Sequence, residues 1–226
     1  MSDDPLDPQP AGSSSRRSWW QRWRQRRKLP APVSATVTGL ELPTRFEKGE
    51  PGSHPGLDVH DLASMPSTRG QVRITCIDYC MEQAQVLEVT DIDAFVADHR
   101  PAWTQVRWIN VDGLSDLRAV RALAIKYDLH PLAVEDVLHL SQRPKMDAYD
   151  AASEHQARLF VIVRMLQLVE DRLTSEQVSI FLGHKTVLTF QEAPGDVWDP
   201  IRARMQTRGS RLRQNDASFL AYALID

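Results

Sequence analysis

Apolar residues recur at every second position, or in short continuous runs, in three stretches between residues 71 and 111. These stretches are residues 72–77 (VRITCI), 85–89 (QVLEV) and 104–111 (TQVRWINV). Their pattern is typical of strands. Residues 91–99 and 115–127 instead carry apolar side chains at helical spacing, with Asp91 and Ser115 as N-cap residues. Strands and helices are therefore predicted to alternate along this part of the chain.

The pattern changes after residue 156, where strand-like runs follow one another directly. They are residues 157–170, 175–183 and 185–191. The last two are close enough to form a hairpin around Gly183 and His184. Helices are predicted at 197–207 and from Asn215 to the end. The sequence thus indicates an α/β fold, with a mixed parallel and antiparallel sheet and helices on both faces.

The N-terminal region has a different composition. Residues 1–35 are rich in Pro, Ser, Arg and Trp, and 36–70 contain many turn formers, so we expect a disordered arm followed by a loop-rich linker. Seven basic residues and no acid lie between positions 16 and 28, although the whole chain carries a net charge of −3. With three tryptophans interleaved, 16–28 could contact anionic lipid, contact nucleic acid, or remain a solvated basic tail.

Composition narrows the protein class. The 226 residues are 42% hydrophobic and 25% charged, as in ordinary globular proteins. Cys76 and Cys80 are the only cysteines and lack metal-ligand spacing, so we expect small buried residues in a reducing compartment. No apolar run approaches the roughly 18 residues of a membrane-spanning helix. Because no catalytic constellation can be assembled, we do not expect an enzyme.

Two adjacent acids, Glu135 and Asp136, lie in a short predicted helix that starts at Pro131. They fall beyond its first turn, where neither capping nor the helix dipole explains them. The neighbouring apolar residues are expected to be buried; they are Leu132, Val134, Val137, Leu138 and Leu140. The acids then share one exposed edge. That edge could be a solvated face with Lys145 or Arg143 as counter-charge, or could provide oxygen ligands for a hard cation such as Mg²⁺.

Several motifs occur in a fixed order. They are HPLAVEDVLHLSQRPK at 130–145, LFVIVRML at 159–166, SEQVSIFLGHKTVLTFQE at 175–192, GDVWDPIRARM at 195–205 and FLAYALID at 219–226. Together they closely resemble the cytoplasmic domain of the CorA family of divalent-cation transporters, and looser similarity extends back to about residue 71. The resemblance implies an α/β cytoplasmic domain over 71–214. It also implies that 215–226 begin a long stalk helix, here cut short, that leads into two transmembrane helices.

The resemblance also implies a function. CorA-type proteins are homopentameric magnesium channels of the bacterial inner membrane, and their α/β domains lie on its cytoplasmic face. At the position of Asp136 the family has a carboxylate that binds a regulatory Mg²⁺ between neighbouring subunits, and the acids at the positions of Glu135 and Asp226 belong to a second cation position. We therefore expect a Mg²⁺-sensing domain that closes the pore when Mg²⁺ bridges carboxylates between subunits.

Two alternatives remain open from the sequence. The first is a zinc transporter of the same superfamily, and Co²⁺ is a further candidate ion. The second, from another class, is a soluble α/β module that binds nucleic acid, although we do not expect a nucleic-acid partner. For the 226-residue chain alone we expect a monomer or a weak oligomer, because the stalk would supply much of the subunit interface.

Overall fold

The computed structural model describes residues 72–149, 158–169 and 172–226. The predicted arm at 1–35 and the predicted linker at 36–70 lie outside these residues. Within them the chain forms seven strands. The strands are β1 Arg73–Tyr79, β2 Ala84–Val89, β3 Val106–Asp112, β4 Lys145–Tyr149, β5 Arg158–Val169, β6 Arg172–Leu182 and β7 Thr186–Gln191. The same residues form five helices: α1 Ile92–Ala97, α2 Leu117–Lys126, α3 Pro131–Leu138, α4 Asp199–Gln206 and α5 Ala217–Ile225.

The strands make one mixed sheet in the order β2-β1-β3-β7-β6-β5-β4. Every neighbouring pair is antiparallel except β3 and β7, which run parallel from the pair Arg107 and Thr186 to the pair Asp112 and Gln191. The hairpin predicted around Gly183 is confirmed, since the Gly183 N–H donates to the carbonyl of Thr186 over 2.8 Å. The predicted mixed sheet is therefore present.

Helices cover both faces of the sheet, as predicted. On one face α1, α2 and α3 bury apolar side chains against alternate residues of the strands, such as Ile109 and Phe181. On the other face α4 and α5 pack against residues of opposite parity, such as Trp108 and Ile180. Because successive side chains of a strand point to opposite faces, one sheet supports two separate cores.

Aromatic residues fill both cores. Four large ones are buried; they are Trp108, Phe160, Phe181 and Trp198. Trp198 donates from Nε1 to the carbonyl oxygen of Leu224 over 2.9 Å, and its ring meets the edge of Trp108 at a centroid distance of 5.6 Å. Trp198 therefore links the segment before α4 to the last turn of α5.

A charged pair lies inside the core on the α1–α3 face. Arg107 donates to both carboxylate oxygens of Asp78, over 2.8 and 2.7 Å, and its guanidinium lies 5.5 Å from the centre of the Phe95 ring. Only 7% of the Arg107 side chain and 9% of the Asp78 side chain are exposed. This bidentate pair satisfies two charges that would otherwise be costly to bury.

Some boundaries differ from those predicted. Helix α2 is capped by Asp116, whose carboxylate accepts the N–H of Arg118, and Ser115 lies one residue outside the cap. Helix α5 is likewise capped by Asp216 and not by Asn215. In both places two good capping residues are adjacent, so capping preference alone could not choose between them. Strand β4 was not predicted at all.

Candidate functional site

The turn that precedes α3 is built from local backbone contacts. Asp128 adopts a left-handed conformation with φ 52°, and the next N–H, of Leu129, donates to the carbonyl of Ala124 over 2.9 Å. This six-residue closure ends α2 in the manner of a Schellman motif. Leu129 is buried, so the turn has a fixed direction and α3 can start two residues later.

The first residues of α3 fit the sequence prediction. His130 is the N-cap, and its Nδ1 accepts the N–H of Leu132 over 3.2 Å, while Pro131 occupies the first helical position. The His130 ring stacks on Tyr149 of β4 with a centroid distance of 4.4 Å. The start of α3 is thereby fixed against the strand at the edge of the sheet.

The side chains of α3 divide between core and surface. Ala133, Val134, Val137 and Leu138 are buried. Leu132 is 38% exposed, so its predicted burial is wrong: its position in the first turn places it beside β4 and not over the sheet. Glu135 and Asp136 are half-buried, so the edge that was predicted to be exposed is only partly accessible.

Asp136 has a partner on the same chain. The Lys145 ammonium lies 2.6 Å from Oδ2 of Asp136 and 2.8 Å from Oδ2 of Asp147, so one cation bridges a helix carboxylate and a strand carboxylate. Burial lowers the pKa of Lys145, but its hydrogen bonds to Asp136 and Asp147 outweigh burial and the net pKa is raised. Of the two counter-charges considered from sequence, the structure selects Lys145.

These residues line a shallow groove between α3 and β4. Its volume is about 500 Å³, and its lining consists of Leu132, Glu135, Asp136, Lys145, Asp147, Ala148 and Tyr149. Three acidic side chains face a single basic one, so the groove is negative overall. Its lining includes no Cys or His, and carboxylate oxygens are the donors that hard cations prefer.

A buried glutamine holds the two sides of the groove together. Gln177 of β6 donates from Nε2 to the main-chain oxygen of Asp136 over 2.9 Å, and its Oε1 accepts the N–H of Gln142 over 3.2 Å. Gln177 is only 2% exposed. It therefore positions both the end of α3 and the segment that leads into β4.

Asp226 lies elsewhere. It caps the C-terminus of α5, and its carboxylate accepts the Tyr222 hydroxyl over 3.3 Å. Helix α5 packs on one face of the sheet and α3 on the other. Among the residues that the structure describes, no three Asp, Glu, His or Cys side chains form a group that could hold a metal ion. The structure thus brings Glu135 and Asp136 together, and it does not bring Asp226 to them.

A hydrated hard cation could use the carboxylates of the groove, but Lys145 already occupies one of them. Glu135 and Asp136 offer oxygen donors on an accessible edge, which suits an ion that keeps most of its waters. However, Oδ2 of Asp136 is already held by Lys145. A cation could bind this carboxylate through water beside Lys145, or directly if Lys145 moves away.

Comparison with known proteins gives the family. The family profile described as "CorA-like Mg2+ transporter protein" matches residues 103–226, more than half of the chain. The chain belongs to the CorA-like Mg²⁺ transporter family. The matched region contains all of α3 and β4, so the groove lies in the part that defines this CorA-family chain.

Individual relatives agree with this family. The cobalt/magnesium transport protein CorA of Thermotoga maritima is 32% identical over 173 residues, which are 76% of this chain and 47% of that protein. The putative metal ion transporter YfjQ of Bacillus subtilis is 31% identical over 121 residues, 53% of this chain and 34% of that protein. The chain therefore spans less than half the length of these curated relatives.

A solved structure shares the fold. The full-length CmaX protein superposes with a TM-score of 0.54 at 16% identity, covering 70% of this chain and 45% of that chain. At this level of identity the likeness concerns the fold only. No helix within residues 72–149, 158–169 and 172–226 has the length and apolar character needed to cross a membrane.

A second acidic cluster in the CorA-family chain is a structural network. Asn110 donates to Asp112 over 2.8 Å and to Asp196 over 3.3 Å, and Arg202 forms an ion pair with Asp196. Burial, and then the nearby charge of Asp196, raises the pKa of Asp112. This network joins the end of β3 to the start of α4.

Proposed function

We propose that this chain is the regulatory, Mg²⁺-sensing part of a homopentameric divalent-cation transporter of the CorA type, on the cytoplasmic side of the membrane. The observation that carries the proposal is the groove between α3 and β4, in which Glu135 and Asp136 share an accessible edge within the family-matched region. Asp136, Glu135 and Asp226 are the proposed cation-binding residues.

The positions of these acids favour a site shared between copies. Mg²⁺ typically takes one or two carboxylates from a protein element and keeps several waters. Asp136 and Glu135 lie on the α3 side of the sheet, whereas Asp226 follows α5 on the other side. One chain cannot combine them at one ion. A neighbouring copy can supply the missing oxygens, which supports a site at a subunit boundary.

Electrostatics would make such a boundary sensitive to Mg²⁺. Two carboxylates about 4 Å apart repel by roughly 1 kcal/mol in water and by several times more near a protein surface. Lys145 offsets only part of the negative charge in the groove. A cation that bridges Asp136 and Glu135 to the next copy would stabilise the closed ring of subunits. Loss of the ion would loosen that ring. Five equivalent boundaries would add, so each can be weak.

The ligand atoms in the groove also indicate which ion it would bind. Structural and catalytic zinc sites use Cys and His, alone or with carboxylates, and neither residue lines the groove. This favours Mg²⁺, with Co²⁺ as the next candidate, over a zinc-specific sensor. The proposed lipid contact of residues 16–28 lies outside the described residues and rests on their composition alone.

The experiment uses Asp136→Asn in the 226-residue chain, with Glu88→Gln as the matched control. Glu88 is an acid on β2 with 61% of its side chain exposed, and it lies outside the groove. We would measure protection from limited proteolysis and self-association by sedimentation as Mg²⁺ is raised, with NaCl samples of equal ionic strength. Asp136→Asn should need at least about tenfold more Mg²⁺, equivalent to about 1.4 kcal/mol.

The control should respond to Mg²⁺ as the wild-type chain does. If Asp136→Asn and wild type show the same Mg²⁺ midpoint in both measurements, Asp136 is not the sensing residue and the proposal fails.

A further inference from the structure

Lys145 holds a position in the groove that a metal ion would also favour. Its ammonium contacts two carboxylates at once, Asp136 from α3 and Asp147 from β4, over 2.6 and 2.8 Å. The Asp136 side chain is only 15% exposed and that of Lys145 is 34% exposed, so water screens the contact incompletely. The groove therefore carries its own cation.

The position of Lys145 in β4 places its ammonium in the groove. Lys145 is the first residue of β4 and pairs with Ile162 of β5, and its Nζ lies 5.9 Å from the centre of the Phe160 ring. Asp147 is two residues further along the same strand, so both side chains project from the same side of it. Lys145 therefore contacts Asp147 on its own strand and Asp136 on the helix at the same time.

We propose that Lys145 is a tethered competitor of the divalent cation at Asp136. Its ammonium holds the carboxylate when the ion is absent, and it must leave Oδ2 before an ion can bind there directly. Lys145 thereby sets the ion concentration at which the site fills. This inference rests on the proposed function of Asp136 as a cation-sensing residue.

The charge and the side-chain chemistry of Lys145 support its role as a competitor of the divalent cation. Without Lys145, Asp136 and Asp147 would form a two-carboxylate site beside Glu135, and no protein cation would oppose a divalent ion there. The Lys145 ammonium carries the same single positive charge as Na⁺ or K⁺. Replacing the ammonium by one of these ions would therefore release little free energy. Lysine suits the role because its compact charge sits on a flexible stem that can swing out.

The test compares four variants of the 226-residue chain for Mg²⁺ binding, by isothermal titration calorimetry and by the rise in melting temperature with Mg²⁺. Lys145→Met removes the ammonium and keeps an apolar stem of similar length. Lys145→Arg keeps the charge and can hold a carboxylate with two hydrogen bonds. Arg143→Met is the matched control, because Arg143 is an exposed basic residue two positions away and outside the groove lining. Asp136→Asn tests the proposed function itself.

A competitor and a purely structural lysine predict opposite results. If Lys145 competes, Lys145→Met should bind Mg²⁺ about 5- to 10-fold more tightly than wild type, corresponding to about 1–1.4 kcal/mol, and Arg143→Met should change affinity less than twofold. Lys145→Arg should bind Mg²⁺ more weakly than wild type, because a guanidinium can hold the Asp136 carboxylate with two hydrogen bonds. If Lys145 only supports the fold, Lys145→Met should bind Mg²⁺ more weakly and Lys145→Arg should keep wild-type affinity.

The outcomes separate the two proposals. Unchanged Mg²⁺ binding in Asp136→Asn overturns the proposed function, and the inference about Lys145 with it. Binding that depends on Asp136 but is not tightened by Lys145→Met overturns the inference alone. Should Lys145→Met fail to fold, Lys145→Arg still decides: Mg²⁺ binding as tight as that of wild type, or tighter, would refute competition.

Discussion

The buried pair of Asp78 and Arg107 offers a direct test of the packing on the α1–α3 face. Asp78→Ala removes the carboxylate that Arg107 contacts in a bidentate manner and leaves the guanidinium inside the core. Because the two side chains are only 9% and 7% exposed, solvent replaces the lost partner incompletely. Breaking such a pair typically costs about 3–5 kcal/mol. For a chain of this size the melting temperature should fall by roughly 6–20 °C.

The assay is urea unfolding of the 226-residue chain, followed by tryptophan fluorescence and circular dichroism. The matched control is Asp93→Ala, which removes the partner of Arg118 in an ion pair whose side chains are 59% and 67% exposed. Exposed pairs contribute at most about 1 kcal/mol, so the control should lose little stability. The difference between the two variants isolates the effect of burial.

A double variant tests the cause. Asp78→Leu combined with Arg107→Met replaces both charges by apolar groups, and it should recover most of the stability lost in Asp78→Ala, because no unpaired charge remains. The reasoning is refuted if Asp78→Ala costs no more than Asp93→Ala. It is equally refuted if the double variant is less stable than the single one.

Two further predictions concern other buried groups. Because the pKa of Asp112 is raised, the folded chain holds the proton of this carboxyl group more tightly than the unfolded chain does. Protonated Asp112 therefore stabilises the fold in acid, and this stabilisation is lost as pH rises through the folded pKa. Asp112→Asn should therefore be more stable than wild type at pH 7 and not below about pH 4; urea midpoints that differ equally at both pH values would contradict this. Trp198→Phe should leave the Leu224 carbonyl unpaired, at a cost of about 1–3 kcal/mol, and speed amide exchange in α5. Unchanged exchange there would mean that the indole does not hold this helix.

Much of the fold could be predicted from hydrophobic periodicity, because most strands have at least one fully buried face. Strand β4 was missed for a physical reason: it has five residues, lies at the edge of the sheet, and none of its side chains is fully buried. In β4, Lys145 and Asp147 alternate with less polar residues, but this alternation is a weak strand signal when the neighbouring strand is not known. A charged residue repeated two positions apart after Pro144 is the one signal that could have suggested it.

The candidate site was predictable only in part. The sequence located Glu135 and Asp136 on an accessible helix edge, and it offered Lys145 as one possible counter-charge. It could not show that Lys145 joins Asp136 to Asp147, since that contact depends on β4 lying beside α3. The role of Gln177 was equally hidden, because its partners lie 35 and 41 residues away in the chain.

The single parallel junction has a consequence for biosynthesis. Strands β1 to β3 pair among themselves within 40 residues, and β4 to β7 pair among themselves within the next stretch of chain, so each half-sheet can assemble from nearby segments. Within the sheet the two halves are joined where β3 pairs with β7, and Trp108 donates to Thr189 across this pair. Until β7 has left the ribosome, β3 keeps one open edge. Because open strand edges promote aggregation, we expect chaperones to protect a nascent chain that ends before β7.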